Sequence, residues 1–403
     1  MLNTQAPERA DLTSAVPARD ELVRRAAELV PVLRANSEWS EQNRALPEES
    51  LTALADAGVF KMRVPKRYGG YESDAGTLLG VMSEIAQGDG SAAWCVSAWT
   101  ISTWLACLFP DHVQDQVFAT ENTRVCGVLS PTAEAKPVEG GVVVNGAWHF
   151  ISGARHSLWQ VIIAMAPTPD GASMWPVMAV VPLSDLQIVD DWNTMGLRGT
   201  GSVTTVAQDV FVPADRVLPM VAVLQEQFAS QLNANSPVYR SPMMATGCTT
   251  FTGTAIGLAK AARSAFMDRI DRKITYTDYT SQREAPLTHL ELAEASFKIE
   301  ESELRAAALA AQMDDKCLKG EPWTLEEKVH ARAHLGRVFQ LCKESAEILS
   351  SASGGSSIYT TEPLQRIVRD LHALSMHSLM HSSTNTELYG RILCGLPPNT
   401  MYL

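Results

Sequence analysis

No apolar run in the 403 residues approaches the roughly 20 consecutive residues that a membrane-spanning helix requires, so no span is expected. Positive charge is in deficit: 33 Lys and Arg stand against 45 Asp and Glu, for a net charge of -12. Neutralising nucleic-acid phosphates takes clustered Lys and Arg, so nucleic acid is not an expected partner. Cysteine is scarce, with 7 residues, an odd number, and no Cys-x-x-Cys pair. That suits reduced thiols in a cytoplasm, used as small buried apolar side chains, and not a disulfide framework. The stretch Met1 to Asp20 is polar and holds Glu8, Asp11 and Asp20, so no secretory leader is expected.

Several catalytic signatures are missing as well. There is no Gly-x-Ser-x-Gly elbow. His330 and His334 stand four apart, as do His377 and His381, but a zinc protease needs a glutamate after the first histidine, and Ala331 and Ser378 stand there. No metal is expected. The glycines of Gly196-Leu197-Arg198-Gly199-Thr200-Gly201-Ser202 are spaced like a nucleotide loop but join no βαβ unit, so a Rossmann reading fails. What remains is a loop with exposed backbone donors and the hydroxyls of Thr200 and Ser202, suited to a polar ring system or a phosphate.

What is present is a globular balance, 46% hydrophobic and 19% charged, in a chain long enough for two or three packed units. Helical periodicity runs from Asp20 to Leu33, from Pro47 to a C-cap at Gly58, and from Asp74 to Gln87. Pro65 to Tyr71 reads as loop, and Gly88-Asp89-Gly90 as a break. Ser91 to Phe109 is apolar, with Trp94, Trp99 and Trp104 at a spacing of five that points the indoles in different directions. A short helix follows Pro110 and Asp111. From Arg124 the period changes to that of strands. Val125 to Leu129 reads as a buried strand, and Pro137 to Ser152 as a hairpin turning at Asn145-Gly146, with a second turn at Asp170-Gly171. Thr204 to Pro213 alternates like a strand. Helices resume over Pro242 to Arg272, where Gly247, Gly253 and Gly257 allow close packing, then over Pro286 to Lys319, Pro322 to Ser350 and Pro363 to Leu393. The expected organisation is a helical domain over 1–124, an antiparallel β-domain over 125–235 and a helical bundle over 236–403.

A β-rich middle between two helical halves, carrying Trp148 to Gly153, Met195 to Ser202, Tyr279-x-x-x-Arg283, Ser351 to Gly355, Glu362-Pro363 and Arg369-Asp370, resembles the acyl-CoA dehydrogenase superfamily over most of the chain. The resemblance implies an α+β fold with N-terminal helices, a central antiparallel β-domain and a C-terminal four-helix bundle, and a flavin between sheet and bundle. The dehydrogenases of that family remove an α-proton with a glutamate. By resemblance it falls where this chain has Ser378, and no acid occurs between Leu371 and Thr386 or, at the alternative position, between Gln227 and Met267. Val128-Leu129-Ser130-Pro131, Pro137-Val138-Glu139-Gly140-Gly141 and Phe150-Ile151-Ser152-Gly153 look instead like the branch of flavin-dependent two-component monooxygenases that includes the p-hydroxyphenylacetate hydroxylases.

That branch implies an oxygenase component that takes reduced FMN or FAD from an NAD(P)H-dependent flavin reductase, forms a C4a-hydroperoxide with O2, and hydroxylates an aromatic or polycyclic apolar substrate. Ser152 matches the serine beside flavin N5, and His377 a histidine facing the flavin and the substrate. Leu129, Ser130, Trp148, Ile151, Thr200 and Ser202 fall at cofactor contacts, together with Gly354 and Gly355. Arg283 matches an arginine reaching the cofactor phosphate of a neighbouring subunit, which implies a homo-oligomer, usually a tetramer. Trp94, Trp99 and Ser102 are the expected substrate contacts. The p-hydroxyphenylacetate enzymes have a histidine aligning near Ser102 and a serine near Gly127, and both are missing here, so that phenol is not the expected substrate. N- or S-oxygenation by the same flavin chemistry, and a flavin-free scaffold of the same fold, are the competing expectations.

Overall fold

Proline, glycine and aspartate set most of the helix ends in the computed structural model, which describes residues 16–168 and 170–403. Glu8 and Asp11, in the polar stretch read above, lie outside the described residues. One helix was expected over Asp20 to Leu33, but two form, α1 (Arg19–Glu28) and α2 (Val30–Asn43). Pro31 stands at the second position of α2, where its missing N–H and bulky ring forbid continuation from the turn before. α3 (Glu48–Asp56) starts after Pro47, with Glu48 and Glu49 at its positive end, and Gly58 follows at φ 79°. The segment read as loop from Pro65 contains one tight helical turn, Lys66–Tyr68.

Asp89 separates two central helices, α4 (Ala75–Gly88) and α5 (Gly90–Ala106). It ends the first, and its carboxylate accepts the Ser91 N–H at 2.8 Å to cap the second. Every residue of α5 except Ile101 is buried. A helix apolar all round must lie at the centre of a fold. α6 (Asp111–Val117) completes the N-terminal helices.

The sheet comprises β1 (Val125–Gly127), β2 (Ala133–Val138), β3 (Gly141–Ile151), β4 (Trp159–Pro167), β5 (Met174–Pro182), β6 (Gln187–Val189), β7 (Val203–Pro213) and β8 (Val217–Pro219). Its order is β6-β7-β3-β2-β4-β5-β8, with β1 on β4. Most ladders are antiparallel as expected, but β4 runs parallel to both β1 and β2. The hairpin does not turn at Asn145-Gly146. β2 and β3 turn at Glu139-Gly140, where Gly140 has φ 79°, and Asn145-Gly146 lies inside β3. There it faces a register shift against β7. Asn145 Nδ2 donates to the Asp209 carboxylate at 2.9 Å, and its Oδ1 accepts the Asp209 N–H at 2.8 Å, with Asp209 held at φ 51°. The dipeptide that suits a tight turn serves a β-bulge here.

After α7 (Met220–Leu224), the C-terminal helices are α8 (Met243–Met267), α9 (Pro286–Lys319), α10 (Leu325–Ala352), α11 (Pro363–Ser375) and α12 (Ser382–Leu393). Of the three glycines of α8, two permit close approach to α4. A Cβ at Gly253 would stand 2.6 Å from the Leu79 carbonyl oxygen, and one at Gly257 2.2 Å from that of Ser83. Gly247 has no contact nearer than 3.8 Å. Six cysteines are buried free thiols, while Cys394 is exposed.

Candidate functional site

Strand β3 ends in a distortion that aims one serine inward. Phe150 is held at φ 65°, a left-handed backbone that is strained for a bulky residue, and the pairing with β7 slips between Trp148 and Ile151. The chain then turns at Gly153, at φ 67°, where a Cβ would stand 2.4 Å from the Trp99 ring. Gly153 N–H donates to the Thr200 carbonyl at 3.0 Å and fastens this corner to the Gly196–Ser202 loop.

Four buried polar side chains converge there. Trp94 Nε1–H donates to Ser152 Oγ at 2.9 Å, Ser152 Oγ lies 2.8 Å from Ser202 Oγ, and Ser202 Oγ lies 2.6 Å from Thr200 Oγ1. Thr200 Oγ1 donates to the Leu197 carbonyl at 2.8 Å. The two ends fix the direction of every hydrogen bond between them. A carbonyl only accepts, so the Thr200 proton is used there, Ser202 donates to Thr200, and Ser152 donates to Ser202. An indole N–H only donates, so Ser152 accepts from Trp94. Ser152 is left with its proton engaged and one acceptor lone pair free. The hydroxyls of this loop were expected to be exposed; Thr200 and Ser202 are buried instead, because they complete the relay.

Trp94 also joins Ser152 to the C-terminal bundle. Its indole stacks on Phe251 of α8 at 5.0 Å and meets the His377 ring edge-on at 5.5 Å. His377 and His381 do not sit within a helix; they lie in the turn between α11 and α12, with His381 at the N-cap position of α12. The His377 ring keeps a partial opening to solvent, but loss of hydration among its neighbours pushes it down to about 4. Its Nδ1 accepts the Leu379 N–H at 3.2 Å. The neutral ring therefore carries its proton on Nε2 and presents a donor.

The loop is strapped to α11 by two neighbouring residues. Arg369 donates to the Met195 carbonyl and pairs with Glu41 at 2.6 Å. Asp370 accepts the Leu197 N–H at 2.6 Å. Gly196 makes room for this, since a Cβ would come within 2.3 Å of the Arg369 carbonyl oxygen. Burial pushes the Asp370 carboxyl up to about 7, with the nearby Asp89 adding to the rise, and pushes Asp89 itself up to about 6. The folded chain thus holds protons that the unfolded chain loses near the ordinary value of 3.8. The resulting stability is present below that value and is lost as pH rises through about 7. Asp370→Asn keeps an acceptor for Leu197 and cannot ionise. Its unfolding midpoint should gain on the parent progressively between about pH 4 and pH 7. A midpoint difference that stays flat across that range would remove Asp370 from this role.

Several expected contacts fall elsewhere. Trp148 is fully buried and donates to the Ile163 carbonyl at 2.8 Å, and the Ile151 side chain is fully buried as well, so both fix the strand and neither side chain is free to contact a ligand. Trp99 does not share a pocket with Trp94. It turns to Ser157, donating at 3.0 Å, and to Phe60, at 5.7 Å. Trp104 bonds the Val238 carbonyl in a separate core. Ser102 is buried beside Gly127, where a Cβ would lie 3.3 Å from its Oγ, so the two positions flagged in the sequence are neighbours. Leu129 and the exposed Ser130 lie on the loop after β1. His330 and His334 approach to 3.1 Å on α10, away from the serine relay.

Arg283, Gly354 and Gly355 form a second group. Arg283 is exposed and pairs with Asp271 at 2.7 and 3.0 Å. Gln282 donates to the Ala352 carbonyl at 2.8 Å, and Arg272 to Ser356 Oγ at 2.7 Å, which brings the arginines beside the glycines. A Cβ built on Gly354 or Gly355 would meet nothing within 4 Å. No hydrogen bond joins this group to the Ser152 relay among the described residues. Arg272 and Phe251 were not singled out for the site, and Asp89 was read only as part of a helix break, since only the fold brings them to these places.

Comparison with known proteins adds to this geometry. Residues 18–118 match the family model "Acyl-CoA dehydrogenase, N-terminal domain", and residues 249–382 match "Acyl-CoA dehydrogenase, C-terminal domain". The chain is 30% identical to the oxygenase subunit HsaA of a flavin-dependent monooxygenase from Rhodococcus jostii (strain RHA1), over 92% of this chain and 97% of that protein. It is 26% identical to the oxygenase component of an FADH2-dependent resorcinol hydroxylase from Rhizobium sp. (strain MTP-10005), over 94% and 96%. Among solved structures, XiaF from Streptomyces sp. in complex with FADH2 and glycerol superposes with a TM-score of 0.90 at 28% identity, covering 96% of this chain and 98% of that one.

Proposed function

The chain belongs to the acyl-CoA dehydrogenase family, in its branch of flavin-dependent oxygenase subunits, and from that premise we propose that it hydroxylates an aromatic or polycyclic substrate at a centre built from Ser152, Trp94 and His377. It is the oxygenase component of a two-component flavin-dependent monooxygenase, using reduced flavin and O2 with a separate reductase. The observation that carries the site assignment is the polarised relay, which leaves Ser152 as an acceptor with one lone pair unused.

Reduced flavin, when bound, supplies the electrons that activate O2, and one oxygen atom passes to the substrate ring. Ser152 would accept the flavin N5–H and keep that proton in place, with Trp94 and Ser202 fixing the direction of the serine lone pair. His377 offers its Nε2–H to the reacting oxygen or the substrate oxygen. Thr200 and Ser202, with Leu129 and Ser130, are the residues that would hold the flavin ring system. Gly354, Gly355, Arg272 and Arg283 would hold the phosphate of a flavin bound mainly by a neighbouring subunit. That reading requires at least a dimer and fits a homotetramer in a cytoplasm. Exposed Ile358, Tyr359 and Met376, near these groups in the chain, give such a neighbour an apolar surface to cover.

The test of function is product analysis with isotopically heavy O2, reduced flavin and a panel of phenols. Incorporation of one labelled oxygen atom into a ring supports the proposal, and products labelled only on nitrogen or sulfur overturn the aromatic reading. Arg283→Ala should weaken reduced-flavin binding about 10-fold or more, the usual cost of losing a charge-assisted contact, and leave the unfolding midpoint close to the parent. Unchanged flavin affinity would take Arg283 out of the cofactor site.

A further inference from the structure

Arg63, just after α3, is only 4% exposed. Its carbonyl accepts from the Tyr239 hydroxyl at 2.9 Å, but its guanidinium makes no hydrogen bond and no ion pair among the described residues, and its Nε has no partner. It lines a hollow shared with a second guanidinium, Arg124, and with Phe60, Trp99, Thr100 and Thr103. Arg124 gives its Nε–H to the His156 carbonyl and lies 5.1 Å over the Phe60 ring and 5.8 Å over the Trp99 ring. No carboxylate lines the hollow.

The acids nearest Arg63 in effect are engaged elsewhere. Asp314 accepts the Ala75 and Gly76 N–H groups at 2.7 and 3.0 Å, at the start of α4. Asp74 caps the same helix and pairs with Arg19 at 2.7 Å. Glu48 acts on Arg124 without forming a contact ion pair; an arginine cannot shed its proton to escape burial, so two guanidiniums beside one partly apolar hollow leave positive charge without a paired counterion. The hydroxyls of Thr100 and Thr103 bond no protein atom among the described residues and add two more donors at the same wall.

We propose that this hollow binds one monoatomic anion of halide size, held between Arg63 and Arg124 with the two threonine hydroxyls. Size sets the class. The centre of a water-sized body has about 10 Å³ to move in, which suits a monoatomic anion better than phosphate, sulfate or a carboxylate. Trp99 links it to the reaction centre, because the same indole walls the hollow and packs against Gly153, beside Ser152.

Crystals of the full chain grown in sodium bromide, with data collected at the bromine edge, test the proposal. An anomalous peak between Arg63 and Arg124 is the expected result, and a water there at saturating bromide overturns it. In solution, the unfolding midpoint should be a few degrees higher in bromide than in methanesulfonate at equal ionic strength, since the hollow suits the bulkier methanesulfonate less well. Arg63→Met should abolish that difference; a variant that keeps it overturns the assignment. If the variant does not fold, the anomalous map on the parent protein decides.

Discussion

Ser152→Ala should release hydrogen peroxide in place of most of the product. When the parent protein, loaded anaerobically with reduced flavin, is mixed with oxygenated buffer, the return of oxidised-flavin absorbance should be delayed relative to free flavin. In Ser152→Ala that delay should shorten by about 10-fold or more, the range expected when one hydrogen bond to a charged or developing centre is lost. Product formed per NAD(P)H consumed should fall in parallel. The direction follows from the relay. Thr200, Ser202 and Ser152 point their protons toward the Leu197 carbonyl, so a flavin beside Ser152 would meet an acceptor. Alanine offers no acceptor to the flavin N5–H, and loss of that proton is what expels peroxide. Alanine also strands the Trp94 N–H in a buried place, at a cost of about 1–3 kcal/mol. Unfolding midpoints must therefore accompany the kinetics. Ser202→Ala separates the two effects: it leaves Ser152 present but free to turn its proton toward the cofactor, so coupling should fall while the Trp94 bond persists. If both variants retain the parent's delay and coupling, the relay has no part in holding oxygen on the flavin.

The sequence showed the helices better than the site because their signals are local. Pro286 to Lys319 was bounded by a proline at one end and Gly320 just beyond the other, and α9 has those bounds. Gly88-Asp89-Gly90 announced a break because aspartate can cap the following helix while it ends the preceding one. Asn145-Gly146 misled because the same dipeptide suits a tight turn and a bulge. The choice was made by Asp209, on a strand more than sixty residues away, which no local window includes. The site divides in the same way. Ser152 and His377 were expected at the site from the motifs around them; their protonation patterns could not be, because these depend on Trp94, Thr200 and Leu379 arriving from elsewhere in the chain. Trp94 and Trp99 looked equivalent on α5, yet five residues of helix turn them to opposite tasks, one bonded to Ser152 and one to Ser157. The same limit explains Asp370: as half of an Arg-Asp motif it was a family mark, and only the fold shows it holding Leu197.

His377→Ala should lower hydroxylation of a phenol by about 100-fold, the lower range for loss of a positioned proton-transfer or donor group, with little change in the delay governed by Ser152. The role follows from the tautomer. Nδ1 is taken by the Leu379 N–H, and burial holds the ring neutral down to about 4, so His377 is a weak base and an available Nε2–H donor. His377→Gln, whose amide can also donate, should recover part of the loss; a general base would not be replaced by an amide. The rate should likewise show no ionisation of His377 between pH 5 and 8. Stability gives an independent reading. A histidine whose folded value lies below 6.5 binds a proton more readily unfolded, so stability is lost as pH falls from about 6.5 toward 4. His156 and His334 are pushed down to about 4 as well, so any His377 variant keeps part of this dependence. His377→Gln should remove only one share of the slope, leaving the midpoint at neutral pH close to that of the parent. S-oxygenation needs no partner for a phenol oxygen and should be less sensitive to the substitution. A full loss in His377→Gln equal to that in His377→Ala, together with a bell-shaped rate profile in the parent, would assign His377 as the base and refute the donor role.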